Sequence, residues 1–346
     1  MTPRIPSSSR EVVLARYPRG MPQVGDFDLV ERPLRAPCAG EILVRNTYMS
    51  LDPVVRVRLT EGGGGYPSPI TPGSTLDGWA IGHVMESSAV GFAAGDVVLQ
   101  RFGWRDFAVL DTTTTNWGDP VVVPIDDVRT ESRYLGPLGP SGLTSWAGLL
   151  RVAALAPGDV VFVSGAAGAV GSLVVQLAVA RGHQVIGSAG SAAKVAYLTE
   201  RLGAAAAFDY HDGPVVERLR DSAPTGIDVY FDNVGGEHLE AALDVMNPGG
   251  RVALCGQISQ YNAMDGSQRG PSNLFLATVK GLTLRGFLAR MFASDLATFQ
   301  DEVAAMLANG AVTSAETVRH GLDAAPQALV DLLGGGNVGK MLVCLD

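Results

Sequence analysis

Cysteine is scarce: the 346 residues contain three, Cys38, Cys255 and Cys344, far apart and never in a Cys-x-x-Cys pair. A disulfide framework and a zinc ribbon are therefore excluded, and a reducing, cytoplasmic setting is expected. Charge is also sparse, at 18% against about 25% in an average globular domain. Within it, 26 Lys and Arg face 35 Asp and Glu, a net charge of −9. A chain with no basic stripe is not built for nucleic acid or an anionic membrane surface. No apolar run approaches the roughly 18 residues of a membrane span. Met1–Gly20 is broken by Pro3, Pro6 and Pro18, and without a continuous apolar stretch it is not expected to be a secretory leader.

What is present is a chain with 47% hydrophobic residues and 43 glycines. That excludes global disorder, and the lack of a three-residue glycine period excludes collagen. The length suits two domains at about 150 residues each. There is no internal repeat. The amino-terminal third reads as strands and turns, with short strands at Glu11–Ala15, Glu41–Asn46, Val97–Gln100, Phe107–Leu110 and Val121–Ile125. Gly62–Gly65 followed by Tyr66-Pro67-Ser68-Pro69 is either a lid or a variable surface loop.

From about Gly136 the texture changes. Five strands (Val160–Ser164, Gln184–Ser188, Ala206–Asp209, Asp228–Asp232 and Arg251–Cys255) alternate with helical segments at Ala169–Arg181, Ala192–Leu202, Val215–Asp221 and Glu237–Met246. Such alternation is the signature of a parallel α/β sheet. The helix after the first strand carries Val170, Leu173, Val174 and Leu177 on one face. A strand at Leu282–Phe287, helices at Asp295–Asn309 and Ala325–Leu333 and a strand at Lys340–Cys344 follow. This last stretch is expected to return to the first domain.

The strongest motif runs from Gly165 through Gly168 to Gly171, leaving a buried strand and entering an amphipathic helix. Gly168 lets backbone approach a pyrophosphate, Gly171 lets the helix pack on the sheet, and the helix N-terminus offers unpaired N–H groups to the anion. The spacing is Gly-x-x-Gly-x-x-Gly rather than the strict dinucleotide fingerprint, so alone it also suits a merely tight turn. An NAD site wants an acid about 20 residues on, at the end of the second strand. Here that end reads VIGSAGS, and the next acid, Glu200, lies well into the helix. Lys194 sits where a cation meets a 2′-phosphate, although a solvated helix lysine looks the same. The missing acid and the placed lysine favour NADPH.

A catalytic zinc set is not expected. Cys38, His83, Glu86, His183, His211, His238 and His320 show no ligand spacing. No Gly-x-Ser-x-Gly elbow supports a serine nucleophile either.

The runs SGAAGAVGS (Ser164–Ser172), GSAGSAAKVAYL (Gly187–Leu198), FDNVGG (Phe231–Gly236), CGQISQYN (Cys255–Asn262) and GNVGK (Gly336–Lys340) resemble the zinc-independent medium-chain dehydrogenase/reductases. The similar branch is that of leukotriene B4 12-hydroxydehydrogenase/prostaglandin reductase, 2-alkenal reductase and curcumin reductase. NTYMSLDP (Asn46–Pro53) and GWRDFAVLD (Gly103–Asp111) extend the likeness over nearly the whole chain. The resemblance implies a Rossmann-type doubly wound parallel sheet, residues 129–311, and a GroES-like, mostly β catalytic domain, residues 1–128 with 312–346. It also implies a homodimer.

For the site, the resemblance implies that Gly168, Ala169, Val170 and Gly171 hold the pyrophosphate. Lys194 and Tyr210 would surround the 2′-phosphate. Asn233, Cys255, Gly256, Ile258, Tyr261, Phe287 and Asn337 would line the nicotinamide and its ribose. Asn233 is equally readable as a turn residue, Cys255 as a buried thiol and Tyr210 as a strand-end aromatic. The implied reaction is NADPH-dependent reduction of the C=C bond of a small, hydrophobic α,β-unsaturated aldehyde or ketone. A phenol, protonated at neutral pH, suits an oxyanion donor. Tyr261 is the first choice for it, or else a loop aromatic that shields the nicotinamide. Tyr48 and Tyr66 are candidate substrate walls. Where the family carries Tyr-Met after Asp-Pro, this chain has Val54-Val55, so the pocket is expected to differ. The alternatives are a zinc-free quinone reductase with the same NADPH site and a non-catalytic NADPH sensor or scaffold.

Overall fold

The computed structural model describes residues 6–65, 68–125, 127–263 and 270–345. Along the chain come strands β1 (Ser8–Leu14), β2 (Phe27–Pro33) and β3 (Glu41–Ser50), then a one-turn helix α1 (Val54–Arg58). Strands β4 (Ala80–Ser87), β5 (Val97–Gln100), β6 (Phe107–Asp111) and β7 (Val121–Val122) follow. Next are α2 (Pro140–Ala147), β8 (Val160–Val163), α3 (Ala169–Val179), β9 (Gln184–Ala189), α4 (Ala192–Ala196) and β10 (Ala206–Asp209). Then come α5 (Val215–Ser222), β11 (Ile227–Asp232), α6 (Gly236–Val245), β12 (Met246–Leu254), α7 (Phe275–Val279), β13 (Thr283–Gly286) and α8 (Leu296–Ala308). The chain ends with β14 (Glu316–His320), α9 (Ala325–Leu333) and β15 (Lys340–Cys344). It divides into two compact units, Met1–Leu135 with Glu316–Asp346, and Gly136–Ala315.

In the first unit a seven-stranded sheet runs β14-β15-β3-β4-β5-β7, with β6 also paired to β3, and β1 and β2 form a separate antiparallel ribbon. The pairing of β3 with β4 shifts register twice. Gly82 sits at that irregularity, because a Cβ there would lie 2.2 Å from the Arg45 carbonyl oxygen. The carboxyl-terminal strand is tied to β3 electrostatically as well as by its ladder. The buried Lys340 ammonium donates to Asp52 Oδ1 at 2.6 Å and to the Leu51 carbonyl at 3.2 Å. Two segments picked out in the sequence, NTYMSLDP and GNVGK, therefore meet. Of the Val54-Val55 pair, Val55 is a core residue beside Leu51 and Leu59, and Val54 is half-buried.

The second unit is a six-stranded parallel sheet in the order β10-β9-β8-β11-β12-β13, the doubly wound order of a Rossmann sheet. Alternation along each strand assigns the two faces. Phe162, Ile186, Phe208 and Tyr230 form one core with Val215 and Leu219 of α5 and Ala241 and Val245 of α6. The rings of Phe162 and Tyr230 stack at 4.9 Å. Helix α3 stops at Val179 because Gly182, at φ +80°, lets the next N–H groups turn back onto the Ala178 and Val179 carbonyls.

Several expectations needed correction. The segment expected as strand Val121–Ile125 is a strand over Val121–Val122 only; the Val123 N–H still bonds the Val97 carbonyl at 2.9 Å, and Pro124 then has no N–H to give. The segment Ala192–Leu202 is α4 followed by a wider π turn over Tyr197–Arg201. Strands β2 and β14 and helix α2 were not anticipated. Helix α2 starts with Pro140 after Gly139 and contains Gly142, where a Cβ would meet the Pro137 carbonyl at 2.0 Å. That context, not propensity, makes it helical.

In α6, His238 is 5% exposed and its ring stands edge-on to Tyr210 at 5.4 Å. Its Nε2 has no hydrogen-bond partner among the described residues. Burial pushes it down to about 4, with Glu237 pulling the other way. A depressed histidine means the unfolded chain takes the proton first, so stability is full above pH ~6.5 and falls as pH drops toward the folded value. Between pH 7 and 5 the protein should lose about 2 kcal/mol more stability than His238→Leu, at about 1.4 kcal/mol per unit. Urea unfolding at both pH values measures this; parallel losses in the two proteins would contradict it.

Candidate nucleotide-binding and active site

The carboxyl ends of β8, β9, β10, β11 and β12 each supply one part of the site. After β8 the chain turns through Gly165, at φ +57°, and enters α3 with Gly168 as its N-cap. A Cβ on Gly171 would lie 2.4 Å from the Gly165 carbonyl, so the first turn of α3 rests directly on backbone. At Gly168 the nearest atom to an added Cβ is the same carbonyl at 3.3 Å. Ala169 and Val170 follow in the first turn, where N–H groups lack intrahelical partners. A phosphate has both the open approach and the donors it needs there.

Strand β9 ends at Ala189 and leads through Gly190 to Ser191, whose hydroxyl caps α4 by accepting from the Lys194 N–H at 3.3 Å. The half-buried Lys194 ammonium has its proton affinity lowered by burial. The Tyr210 ring lies over Gly190, where a Cβ would come within 2.7 Å of its hydroxyl oxygen. Lys194 and Tyr210 thus flank one glycine turn, and that turn carries no acid.

At the end of β11, Asn233 is a turn residue with a fixed side chain. Its amide donates to the Ser164 carbonyl at 2.8 Å and its N–H to Ser164 Oγ at 3.0 Å. The Asn233 carbonyl accepts from the Ile258 N–H at 3.3 Å, and the Val234 carbonyl accepts from Ser259. The Cys255 and Gly256 N–H groups both donate to the Asp232 carbonyl. The β11 and β12 loops are therefore zipped side by side. Burial pushes the Cys255 thiol up to about 12, which keeps it protonated and inert. The Tyr261 hydroxyl folds back and accepts from the Gln257 N–H at 3.4 Å. A cavity of about 490 Å³ opens beside these loops, lined by Asp232, Gly235, Leu239, Leu254, Cys255 and Gln257 among others.

The structure does not bring every candidate into this cluster. Phe287 is 7% exposed and packs edge-on against Phe231 and Phe292, as a core side chain. Asn337 and Tyr48 belong to the other unit. The Asn337 amide donates to the Gly339 carbonyl at 2.7 Å. Tyr48 packs with Ile81, Val97 and Leu342, its phenol pushed up to about 12 by burial and then by Cys344. Tyr66 lies outside the described residues. Gly62–Gly65 belongs to a 3₁₀ turn over Glu61–Gly65. Three residues were missed altogether: Ser164, Tyr230 and Asp232, whose side chains join one another across strands. Ser164 and Asp232 stood inside quoted motifs and Tyr230 inside the expected strand Asp228–Asp232, but nothing in a linear motif shows that Ser164 reaches Asn233.

Comparison with known proteins decides the family. Residues 10–116 match the model described as the N-terminal domain of oxidoreductase, and residues 169–309 match the one described as zinc-binding dehydrogenase. A 2-alkenal reductase (NADP(+)-dependent) of Nicotiana tabacum is 37% identical over 98% of both chains. The chain belongs to the medium-chain dehydrogenase/reductases, in the branch of the 2-alkenal, curcumin and prostaglandin reductases. An NADPH-dependent curcumin reductase of Escherichia coli is 35% identical over 97% of this chain and 96% of its own. The crystal structure of CurA from Vibrio vulnificus in complex with NADPH superposes with a TM-score of 0.91, at 33% identity over 97% and 99% of the two chains. Among the described residues of this reductase, no group of three His, Cys, Asp or Glu side chains could hold a metal ion.

The two loop glycines of this reductase should separate by experiment. Gly171→Val should lower the melting temperature by several degrees, because the new side chain meets backbone. Gly168→Ala should fold normally and bind NADPH at least about tenfold more weakly. Thermal melts and nucleotide titrations check both; normal melting of Gly171→Val would contradict the packing role.

Proposed function

We propose that this protein reduces the C=C bond of α,β-unsaturated aldehydes and ketones with NADPH, hydride reaching the β-carbon and a proton the α-carbon. The observation that carries the reading is full-length likeness to reductases named for 2-alkenals and curcumin, on a site whose residues fit the dinucleotide. In that reading residues 129–311 form the nucleotide domain, and residues 1–128 with 312–346 the substrate domain. Gly168, Ala169, Val170 and Gly171 hold the pyrophosphate. Lys194 and Tyr210 take the 2′-phosphate, and the lack of an acid after β9 favours NADPH over NADH. Asn233, Cys255, Gly256, Ile258 and Tyr261 form the nicotinamide wall, with Phe287 behind it, and Asn337 is assigned to the cofactor as well. Tyr48 and Tyr66 line the substrate pocket.

NADPH, when bound, supplies the hydride. What the chain supplies is a donor for the charge that develops on the carbonyl oxygen. A tyrosine hydroxyl that accepts a backbone N–H is polarised toward donation, so Tyr261 is placed in that role. We also read the enzyme as zinc-independent, because Cys38, His83, Glu86 and the other histidines show no ligand spacing. A cytoplasmic location is supported by three unpaired thiols. No helix among the described residues is long and apolar enough to cross a membrane.

A homodimer is supported by β13, an edge strand among the described residues, and the exposed Leu274, Phe275, Val279 and Met291 beside it. Light scattering should give twice the chain mass, and one-chain mass would contradict the dimer.

Assays of NADPH consumption over enals, enones and quinones should show turnover with the first two classes and a saturated product by mass. Turnover of quinones alone would overturn the proposal. Tyr261→Phe should lower turnover on the order of 10²-fold; unchanged turnover removes it from the oxyanion role. Lys194→Ala should weaken NADPH far more than NADH, and an equal loss for both would contradict the 2′-phosphate assignment.

A further inference from the structure

Asp232 lies at the end of β11 beside the cavity and is 1% exposed. A buried carboxylate is costly unless hydrogen-bonded, and here all the bonds converge on one oxygen. Oδ1 accepts from the Gly235 N–H at 2.7 Å, the Tyr230 hydroxyl at 2.7 Å, the Val234 N–H at 3.0 Å and Ser164 Oγ at 3.4 Å. Tyr230 cannot drift, because its ring is stacked on Phe162. Ser164 in turn holds both ends of Asn233. The Asp232 main-chain carbonyl takes Cys255 and Gly256. One residue therefore closes the tight turn through Gly235 and Gly236, which sit at φ +70° and +52°, and anchors the neighbouring loop.

We propose that Asp232, braced by Tyr230 and Ser164, is a positioning residue for the nicotinamide end of the cofactor. It acts through Asn233 and the Cys255–Gly256 segment without touching the cofactor. The inference rests on the reading that NADPH lies against these loops. Removing the carboxylate leaves the Val234 and Gly235 N–H groups without their acceptor and the buried Tyr230 phenol with Ser164 Oγ alone. The turn must then reopen, and Asn233 loses its fixed orientation. Gly165–Gly171, α4 and Tyr210 make none of these bonds and keep their geometry.

The test compares two ligands that share one end. NADPH carries the nicotinamide, whereas 2′,5′-ADP presents only the adenosine with its phosphates. Binding of each is titrated by fluorescence or calorimetry without any enone. Asp232→Ala should weaken NADPH at least about tenfold, the scale of one unsatisfied buried group, and leave 2′,5′-ADP within about twofold. Asp232→Asn has the same shape and keeps an Oδ1 acceptor for the turn, so it should restore most of the NADPH affinity. If Asp232→Ala does not fold, Tyr230→Phe carries the same comparison, since its ring stays stacked; about threefold weaker NADPH with unchanged 2′,5′-ADP is expected. Equal losses for both ligands, or no loss for either, would overturn the proposal. Wild-type protein that binds NADPH but reduces no enone would refute the proposed function alone. Failure to bind NADPH at all would overturn both.

Discussion

The nucleotide unit depends on one backbone contact, that of Gly171 against the Gly165 carbonyl. No side chain larger than hydrogen fits between them, so α3 begins directly against the end of β8. That contact sets the position of the helix N-terminus and its unpaired N–H groups. It also sets where the turn after β8 ends relative to the turns after β9 and β11. The Ala166 N–H bonds to the Ser188 carbonyl of β9, and the Ser164 N–H to the Phe231 carbonyl of β11. The turns after β8, β9 and β11 are thereby parts of one frame rather than independent loops.

The frame carries little charge, and that is consistent with the composition. The cluster around β8, β11 and β12 is held by backbone groups and one buried carboxylate. Burial raises the proton affinity of Asp232, and hydrogen bonds from Gly235, Tyr230, Val234 and Ser164 oppose that rise. Cationic character is concentrated at Lys194, beside a turn without an acid. An acidic protein can thus attract a multiply anionic cofactor through local geometry, against its own net charge of −9.

Much of the second unit was legible because its local patterns and its tertiary structure agree. VVFVS reads as a buried strand and the apolar face of Ala169–Leu177 as a helix, and β8 and α3 are there. Strands β10 and β15 and helix α9 fall on the expected residues. Strand β14, ETVRH, has no apolar alternation; it is a strand because it pairs in parallel with β15. Gly82 breaks the β-former pattern of β4 because the neighbouring backbone leaves no room for a side chain. In the site, the glycines and Lys194 stood out through residue type at fixed offsets, and Tyr210 through the family resemblance alone. The Ser164–Tyr230–Asp232 network did not, since its partners are 66 and 68 residues apart in the chain. Phe287, which only the resemblance names, packs as a core side chain against Phe231 and Phe292.

The central claim is that hydride passes to the β-carbon of an enone. The most direct measurement uses NADPH deuterated at the transferable C4 position, with a simple enone, followed by NMR of the product. Deuterium at the β-carbon of a saturated ketone, with solvent hydrogen at the α-carbon, is the predicted result. Deuterium on the carbonyl carbon of an allylic alcohol, or no label in any product, would contradict the account.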